Sequence, residues 1–158
     1  MSRAVYAGTF DPLTFGHLDV AVRAAHRFDH LTLAVSAESK KGTLFNTEER
    51  LELARKSLAH LPNVEVQPFS GLLVEWVGKH GEGTLIRGLR AFSDFEYEFQ
   101  MALTNRKLAP DVETLFLMPR EEYSYVSSTL VKEIASLHGP VEKFVPPCVA
   151  EALRQKYA

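Results

Sequence analysis

The chain of 158 residues is 46% hydrophobic and 24% charged, which is typical of a folded globular protein and excludes an intrinsically disordered one. Its 18 basic and 20 acidic residues give a formal net charge of −2, which excludes a broad nucleic-acid-binding surface but permits a local basic pocket. This length predicts a single domain, residues 1–158, with a sizeable core.

The first predicted elements are a strand, a turn and a helix in direct succession. Residues 3–7 predict one buried strand, and an amphipathic helical pattern begins at Leu18. The turn between them reads Gly8-Thr9-Phe10-Asp11-Pro12-Leu13-Thr14-Phe15-Gly16-His17. Its glycines permit the backbone to approach a ligand closely, and the free N–H groups of the helix start suit an anion such as phosphate. His17 lies just inside the helix, where its imidazole could reach a phosphoryl oxygen.

Strands and helices alternate along the rest of the chain. The first helix is expected to end near residues 28–29, and Asn46 with Glu49 resembles a capping box for a second helix that stops before Pro62. Further strands are predicted at 31–35, 64–66, 84–86 and 113–118, and further helices at about 71–79, 93–108, 127–137 and 146–156. The alternation predicts an α/β fold, a single doubly wound Rossmann-like domain with a five-stranded parallel sheet. Ligands of such sheets lie beyond the carboxyl ends of the strands.

Several cationic and hydroxyl side chains follow the predicted strands. Thr9 could bind phosphate through its hydroxyl and N–H, or make a local turn bond instead. Lys40 and Lys41 follow the second strand, although paired lysines are more often solvated than functional. Arg87 and Arg90 follow the buried fourth strand, where guanidinium groups favour bidentate phosphate binding over mere surface charge.

Two further segments each leave two interpretations open. The hydroxyl-rich run 124–129 precedes a predicted helix, and it is either an ordinary serine N-cap or a second phosphate cradle. Aromatic residues alternate with acids around the fourth helix; we expect most of them in the core, with an oligomer contact as the alternative. These aromatic residues are Phe92, Phe95, Tyr97 and Phe99.

The segment G-T-F-D-P-x-T-x-G-H, residues 8–17, resembles the signature of the T/HxGH nucleotidyltransferase superfamily. The segments Ile86-Arg87-Gly88-Leu89-Arg90 and Asp94-Phe95-Glu96-Tyr97-Glu98 are similar to the phosphopantetheine adenylyltransferase family, and the likeness covers nearly the whole chain. This resemblance implies transfer of the adenylyl group of ATP to 4′-phosphopantetheine, which gives dephospho-coenzyme A and pyrophosphate. It also implies Mg²⁺ bound mainly through the ATP phosphates, inhibition by coenzyme A, and a homohexamer.

The same resemblance implies roles for individual residues. His17, Arg90 and a loop lysine would be catalytic, and Thr9, Arg87, Leu73 and that lysine would bind 4′-phosphopantetheine. Gap-free counting selects Lys41 and alignment of the lysine pair selects Lys40, so both remain open. No protein metal ligand is implied. The implied ATP-binding residues are Thr9, Phe10, His17, Gly88, Leu89, Arg90, Glu98, Tyr123, Ser124, Tyr125, Val126, Ser127, Ser128 and Thr129.

The sequence departs from the family pattern at Ala7 and Phe15, near the nucleotide, and neither departure removes a group with an implied role. Rival functions are transfer to another phosphate, such as nicotinate mononucleotide or glycerol phosphate, and a non-catalytic nucleotide sensor. A single cysteine, Cys148, excludes an internal disulfide and suits a reducing compartment. No apolar run approaches the roughly 20 residues of a membrane span and no signal-peptide pattern is present, so we expect a cytoplasmic protein without membrane contact.

Overall fold

A computed structural model of the chain describes residues 1–37, 42–80, 83–90 and 94–158; the predicted Lys40 and Lys41 lie outside these ranges. The strands are β1 (Arg3–Gly8), β2 (His30–Ser36), β3 (Val64–Phe69), β4 (Thr84–Gly88) and β5 (Glu113–Leu117). The helices are α1 (Phe15–Ala25), α2 (Thr47–Leu58), α3 (Leu73–His80), α4 (Asp94–Leu108), α5 (Ser128–Ser136) and α6 (Pro147–Lys156), and a 3-10 turn spans Glu121–Tyr123. None of these helices combines the length and the apolarity that crossing a membrane requires.

The five strands form one parallel sheet in the order β3-β2-β1-β4-β5. The predicted doubly wound, five-stranded parallel sheet is therefore confirmed. The chain winds outward from β1 to β3 and then returns to start β4 on the other side of β1. This reversal leaves a switch point between β1 and β4, where Tyr6 pairs with Ile86 and where a ligand crevice is expected.

Alternate residues of β1 pack on opposite faces of the sheet, as the pleat of a strand requires. Ala4 and Tyr6 join the core under α1 and α2, whereas Val5 and Ala7 join the core under α3. Both faces of β1 are therefore buried, which explains why its sequence is nearly continuous in apolar residues. The α2 residues Leu51, Ala54 and Leu58 all pack in the first of these cores.

A third apolar cluster lies beyond the sheet and holds α5 and α6 to α2. Phe45 and Leu53 contribute to it from the α2 side, and Val131, Val149 and Leu153 contribute from α5 and α6. The predicted capping box of α2 is present, because Asn46 and Glu49 exchange side-chain-to-backbone hydrogen bonds of 2.8 Å. This cluster fixes where α5 begins relative to the sheet.

Two expectations for the helices are wrong. Helix α1 begins at Phe15, so it contains His17 as expected, but it ends at Ala25 rather than near residue 28. The aromatic side chains of α4 are not core residues: Phe95, Tyr97 and Phe99 are 59%, 60% and 52% exposed. Apolar residues lie all around α4, so its sequence pattern does not define one buried face.

Candidate active site

A cavity of about 660 Å³ opens at the carboxyl ends of β1 and β4, at the switch point of the sheet. Its lining includes the turn after β1, the start of α1, the end of β4, part of α4 and the start of α5. These segments are far apart in sequence, and the topology brings them together. The predicted site residues that line the cavity are Thr9, Phe10, His17, Arg87, Gly88, Arg90, Glu98, Val126, Ser127, Ser128 and Thr129.

His17 is held in one orientation by the cap of its own helix. Thr14 is the N-cap of α1, and its hydroxyl accepts from the backbone N–H of His17 at 3.4 Å. In return, Nδ1 of His17 accepts from the backbone N–H of Thr14 at 3.0 Å. A backbone N–H can only donate, so Nδ1 carries no proton and the neutral ring carries its proton on Nε2. The T-x-G-H segment is thus a capping box in which histidine takes the place of glutamate.

The imidazole of His17 is neutral at physiological pH. Burial, together with the positive charges of Arg90 and Arg87, lowers its pKa to about 3. The ring packs edge-on against Phe10, with 5.0 Å between centroids, and Phe10 packs in the same manner against Tyr6. The structure therefore provides a fixed, uncharged Nε2–H donor that does not titrate in the physiological range.

Arg87 forms a bidentate ion pair with Glu98 at the edge of the cavity. Its Nε and Nη2 donate to the two Glu98 carboxylate oxygens at 3.1 and 2.7 Å, and its Nη1 donates to the carbonyl of Ala7 at 2.9 Å. Burial alone would lower the pKa of Arg87, but the hydrogen bonds and charge of Glu98 outweigh it and raise the pKa. The guanidinium is therefore permanently charged and fixed between β1 and α4.

The start of α5 faces the same cavity and is tied to the other segments. The carbonyl of Val126 accepts from Nη1 of Arg90 at 3.2 Å, and the Ser128 hydroxyl donates to the carbonyl of Pro12 at 2.8 Å. Ser127 is the N-cap of α5, since its hydroxyl accepts from the N–H of Leu130. A capped helix start with hydroxyl groups around it suits a phosphate ligand, so the two interpretations of this run are compatible.

The model of the cytidylyltransferase-like family matches residues 5–134 of the chain. The chain belongs to the cytidylyltransferase-like family. This agrees with the superfamily that the T-x-G-H segment predicted, and it makes the protein a nucleotidyltransferase. A solved structure, a candidate nicotinate-nucleotide adenylyltransferase from Vibrio parahaemolyticus, is similar with a TM-score of 0.73 over 99% of this chain and 96% of that one. The sequences are 16% identical, so this likeness shows the fold alone.

In this cytidylyltransferase-like chain, several predicted site residues lie away from the cavity lining. Leu73 packs against the α3 core, and Leu89 uses its N–H to bond the carbonyl of Leu117. Ser124 donates to the carbonyl of Glu121, which closes the 3-10 turn. The rings of Tyr123 and Tyr125 pack against Phe15 and Phe144, respectively. The structure thus brings Ser127–Thr129 to the cavity and leaves 123–125 beside it.

Sequence reasoning missed an ion pair inside the site. The Asp11 carboxylate accepts from Lys132 Nζ at 2.9 Å and from the backbone N–H groups of Leu44 and Phe45 at 3.0 and 2.9 Å. Asp11 and Lys132 both line the cavity, although 121 residues separate them. A long-range pair leaves no local spacing signal. The His17 cap was also missed, and its signal was present as threonine three residues before histidine at a helix start.

The cavity carboxylates of this cytidylyltransferase-like chain do not form a metal site of their own. Asp11 is occupied by Lys132 and two backbone donors, and Glu98 is occupied by Arg87. Across the part of the chain that the structure describes, no three His, Cys, Asp or Glu side chains are grouped so as to hold a metal ion.

Proposed function

We propose that this nucleotidyltransferase transfers the adenylyl group of ATP to 4′-phosphopantetheine, giving dephospho-coenzyme A and pyrophosphate. The observation that carries the proposal is the Arg87–Glu98 pair at the cavity edge. It joins I-R-G-L-R to D-F-E-Y-E, the two segments that resemble the phosphopantetheine adenylyltransferase family most specifically. Arg87 and Glu98 line the same cavity as His17.

The acceptor phosphate is its own nucleophile, because its oxygens are already negatively charged. Catalysis then consists of bringing two polyanions together and stabilising the charge that develops during transfer. Thr9 and Arg87, with Lys40 or Lys41, align the acceptor phosphate for in-line attack on the α-phosphorus of ATP. The new phosphoric anhydride bond forms as the bond to pyrophosphate breaks, without a covalent enzyme intermediate.

His17 donates from Nε2–H to the α-phosphate as negative charge spreads there. A neutral donor serves this purpose well, because it stabilises the oxygen without giving up its proton and is the same at every pH of interest. The Thr14 N–H fixes the ring before substrate arrives, so the donor needs no reorganisation during the reaction.

Arg90 and the start of α5 bind the departing pyrophosphate. Arg90 is braced by the carbonyl of Val126, directly before the N-cap Ser127. The N–H groups of the first turn of α5 and the positive end of its dipole attract the β- and γ-phosphates. Mg²⁺ enters with ATP, held by its phosphate oxygens, and neutralises part of their charge. Phe10 and Gly88, which line the cavity, accommodate the nucleotide.

A homohexamer and inhibition by coenzyme A complete the proposal. The exposed side chains Phe95, Phe99 and Leu103 are four residues apart and make an apolar stripe along α4. Leu115 and Met118, on and just after the edge strand β5, are exposed as well. Apolar surface of this kind is typical of a subunit interface.

Coenzyme A contains the transferred nucleotide and the pantetheine arm, so it suits the same cavity as an inhibitor. The cytoplasm is the proposed compartment of the protein.

The proposal is tested by pyrophosphate release from ATP with each of three acceptors: 4′-phosphopantetheine, nicotinate mononucleotide and glycerol phosphate. A parallel set replaces ATP with CTP. We expect release with ATP and 4′-phosphopantetheine at a kcat/KM at least about 100-fold above the other pairs, a difference of roughly 3 kcal/mol in transition-state binding. A preference for another acceptor would overturn the assignment, and tight ATP binding without release would indicate a nucleotide sensor.

Arg87→Ala adds a second test in the same assay. The loss of this guanidinium should raise the KM for 4′-phosphopantetheine and leave the KM for ATP nearly unchanged. A change confined to ATP would show that Arg87 serves the nucleotide instead. Arg106→Ala is the matched control. Arg106 of α4 is also paired with a glutamate, but its ion pair with Glu113 is exposed.

A further inference from the structure

Arg50 is a buried cation beside the active site for which the proposed mechanism has no use. It lies in the first turn of α2 and is only 2% exposed. Burial of an arginine is expensive unless its donors are satisfied, so a guanidinium at this depth has a structural or functional reason.

The guanidinium of Arg50 joins three separate segments through their backbone carbonyls. Its Nη1 donates to the carbonyl of Thr9 at 2.9 Å and to the carbonyl of Ser36 at 2.7 Å. Its Nε donates to the carbonyl of Phe45 at 3.1 Å, and its Nη2 donates to the Thr47 hydroxyl at 3.2 Å. The side chain therefore connects the turn after β1, the end of β2 and the segment that leads into α2.

The acceptors of Arg50 are all neutral, whereas Arg87 has the Glu98 carboxylate among its acceptors. Burial lowers the pKa of Arg50 and the negative charge of Asp11 partly offsets this effect. None of these hydrogen bonds is to a carboxylate, so none of them supplies a counter-ion for the positive charge. We explain an arginine at this buried position by the geometry it imposes, because its planar fork fixes the direction of each carbonyl.

The segment that Arg50 holds is strained. Phe10 has a φ of 51°, in the left-handed region that non-glycine residues rarely adopt. Its ring lies over Gly8, where an added Cβ would be 3.1 Å from the ring atoms. The peptide between Thr9 and Phe10 is thus constrained on one side by packing and on the other by the bond from Arg50. Thr9 itself is exposed and lines the cavity.

We propose that Arg50 is a positioning residue for the acceptor site: it fixes the peptide between Thr9 and Phe10, and thereby holds Thr9 where its N–H and hydroxyl can bind the acceptor phosphate. The proposal rests on the proposed function in that it assigns the acceptor phosphate to Thr9. It predicts that the loss of the guanidinium fork weakens acceptor binding selectively, although Arg50 contacts no substrate.

The test compares three variants of the full chain. Arg50→Met keeps the bulk of the side chain and removes all donors, whereas Arg50→Lys keeps the charge and loses the fork. Asn63→Leu is the matched control, because the Asn63 amide also donates to two backbone carbonyls, of Ala25 and Phe28, but at the opposite end of the sheet. Thermal unfolding of each variant measures the loss of stability that the substitutions share.

For Arg50→Met we expect the KM for the acceptor to rise at least about tenfold while the KM for ATP stays within about twofold, since a small misplacement of a binding group is costly. Arg50→Lys should lie between Arg50→Met and wild type. Asn63→Leu should lower the melting temperature and leave both KM values within about twofold. Equal rises for ATP and acceptor, or wild-type acceptor KM in both Arg50 variants, would overturn the proposal.

If the wild-type chain does not use 4′-phosphopantetheine, the proposed function is wrong, but the positioning role of Arg50 can still hold. The positioning role is then measured without catalysis, by following the Thr9 amide signal in an NMR titration with inorganic phosphate. Arg50→Met, or Arg50→Lys where the methionine variant does not fold, should bind phosphate at least about threefold more weakly than Asn63→Leu. Equal affinities would contradict the role of Arg50.

Discussion

His17 has both a fixed tautomer and a protonation state that does not change near neutral pH. The first comes from the Thr14 N–H, which occupies Nδ1, and the second from burial beside Arg90 and Arg87. Sequence alone predicted that His17 would lie at the site, because the glycine-punctuated turn and helix start follow a buried strand. It could not predict the tautomer, since this depends on where the Thr14 backbone points.

The histidine tautomer gives a direct prediction for the free protein. The ¹⁵N signals of His17 should show a protonated Nε2 and an unprotonated Nδ1, with no titration between pH 8 and pH 5. The lowered pKa means that the folded state takes up this proton only as the pH falls towards 3, well below the 6.5 of an unperturbed imidazole. Free imidazole added to the same samples provides the reference signal. A His17 midpoint near pH 6.5 would contradict the account.

Removal of the imidazole should impair the chemical step more than binding. His17→Ala is expected to lower kcat by on the order of 10²-fold or more with KM for ATP within about threefold, the effect of losing one transition-state donor. Steady-state kinetics measure both constants. His26→Ala is the control on the same helix and should match wild type. A His17→Ala variant with near-normal turnover would remove this residue from the mechanism.

At the level of the elements, periodicity predicted what each segment is, and tertiary contacts decided where each begins and what it faces. Helix α1 starts at Phe15 because Thr14 caps it, upstream of the apolar pattern that begins at Leu18. Helix α4 was predicted as a helix correctly, yet its aromatic residues are exposed. Its apolar residues are distributed around the axis, so the sequence contains no signal that distinguishes core from surface there.

The Asp11–Lys132 pair connects the turn after β1, the segment before α2 and helix α5, and its loss should loosen all three. In Asp11→Asn, an NH₂ group replaces one carboxylate oxygen, so this donor would face a backbone N–H donor. Lys132 would also lose its negatively charged partner. We expect the free energy of unfolding to fall by about 2 kcal/mol, in the range for a buried hydrogen-bonded charge.

Urea denaturation measures this loss as a lower midpoint with an unchanged slope. Glu52→Gln makes the same chemical change in the exposed Glu52–Lys56 pair of α2, and it should cost less than about 0.5 kcal/mol. Equal losses in the two variants would show that the Asp11 pair has no special structural role.

At the scale of the whole molecule, the parallel order β3-β2-β1-β4-β5 explains why remote segments share one cavity. The alternation of strands and helices sufficed to predict a doubly wound, five-stranded parallel sheet, and the general rule for such sheets predicts a ligand crevice beyond the carboxyl ends of the strands. The alternation could not predict which of residues 123–129 reach the cavity, because the 3-10 turn Glu121–Tyr123 redirects the chain just before them. The local spacing of residues in the sequence also could not predict the Arg87–Glu98 and Asp11–Lys132 pairs, because the fold brings their partners together.

The apolar stripe on α4 predicts self-association. Sedimentation of the wild-type chain should give about 106 kDa, six times the 17.7 kDa of one chain. Phe99→Glu with Leu103→Glu places charge in the stripe and should yield smaller species. Leu137→Glu introduces a charge at an exposed leucine at the end of α5, and it should sediment like wild type. A wild-type mass near 17.7 kDa would refute the hexamer.

We propose that the cavity at the β1–β4 switch point transfers the α-phosphate of ATP, with its adenosine, to 4′-phosphopantetheine. Incubation of the wild-type protein with ATP labelled with ³²P at the α-phosphate, Mg²⁺ and 4′-phosphopantetheine tests it most directly. We predict that the label appears in dephospho-coenzyme A in step with unlabelled pyrophosphate. Label that stays in ATP, or that is released as AMP or ADP without entering the acceptor, would contradict the claim.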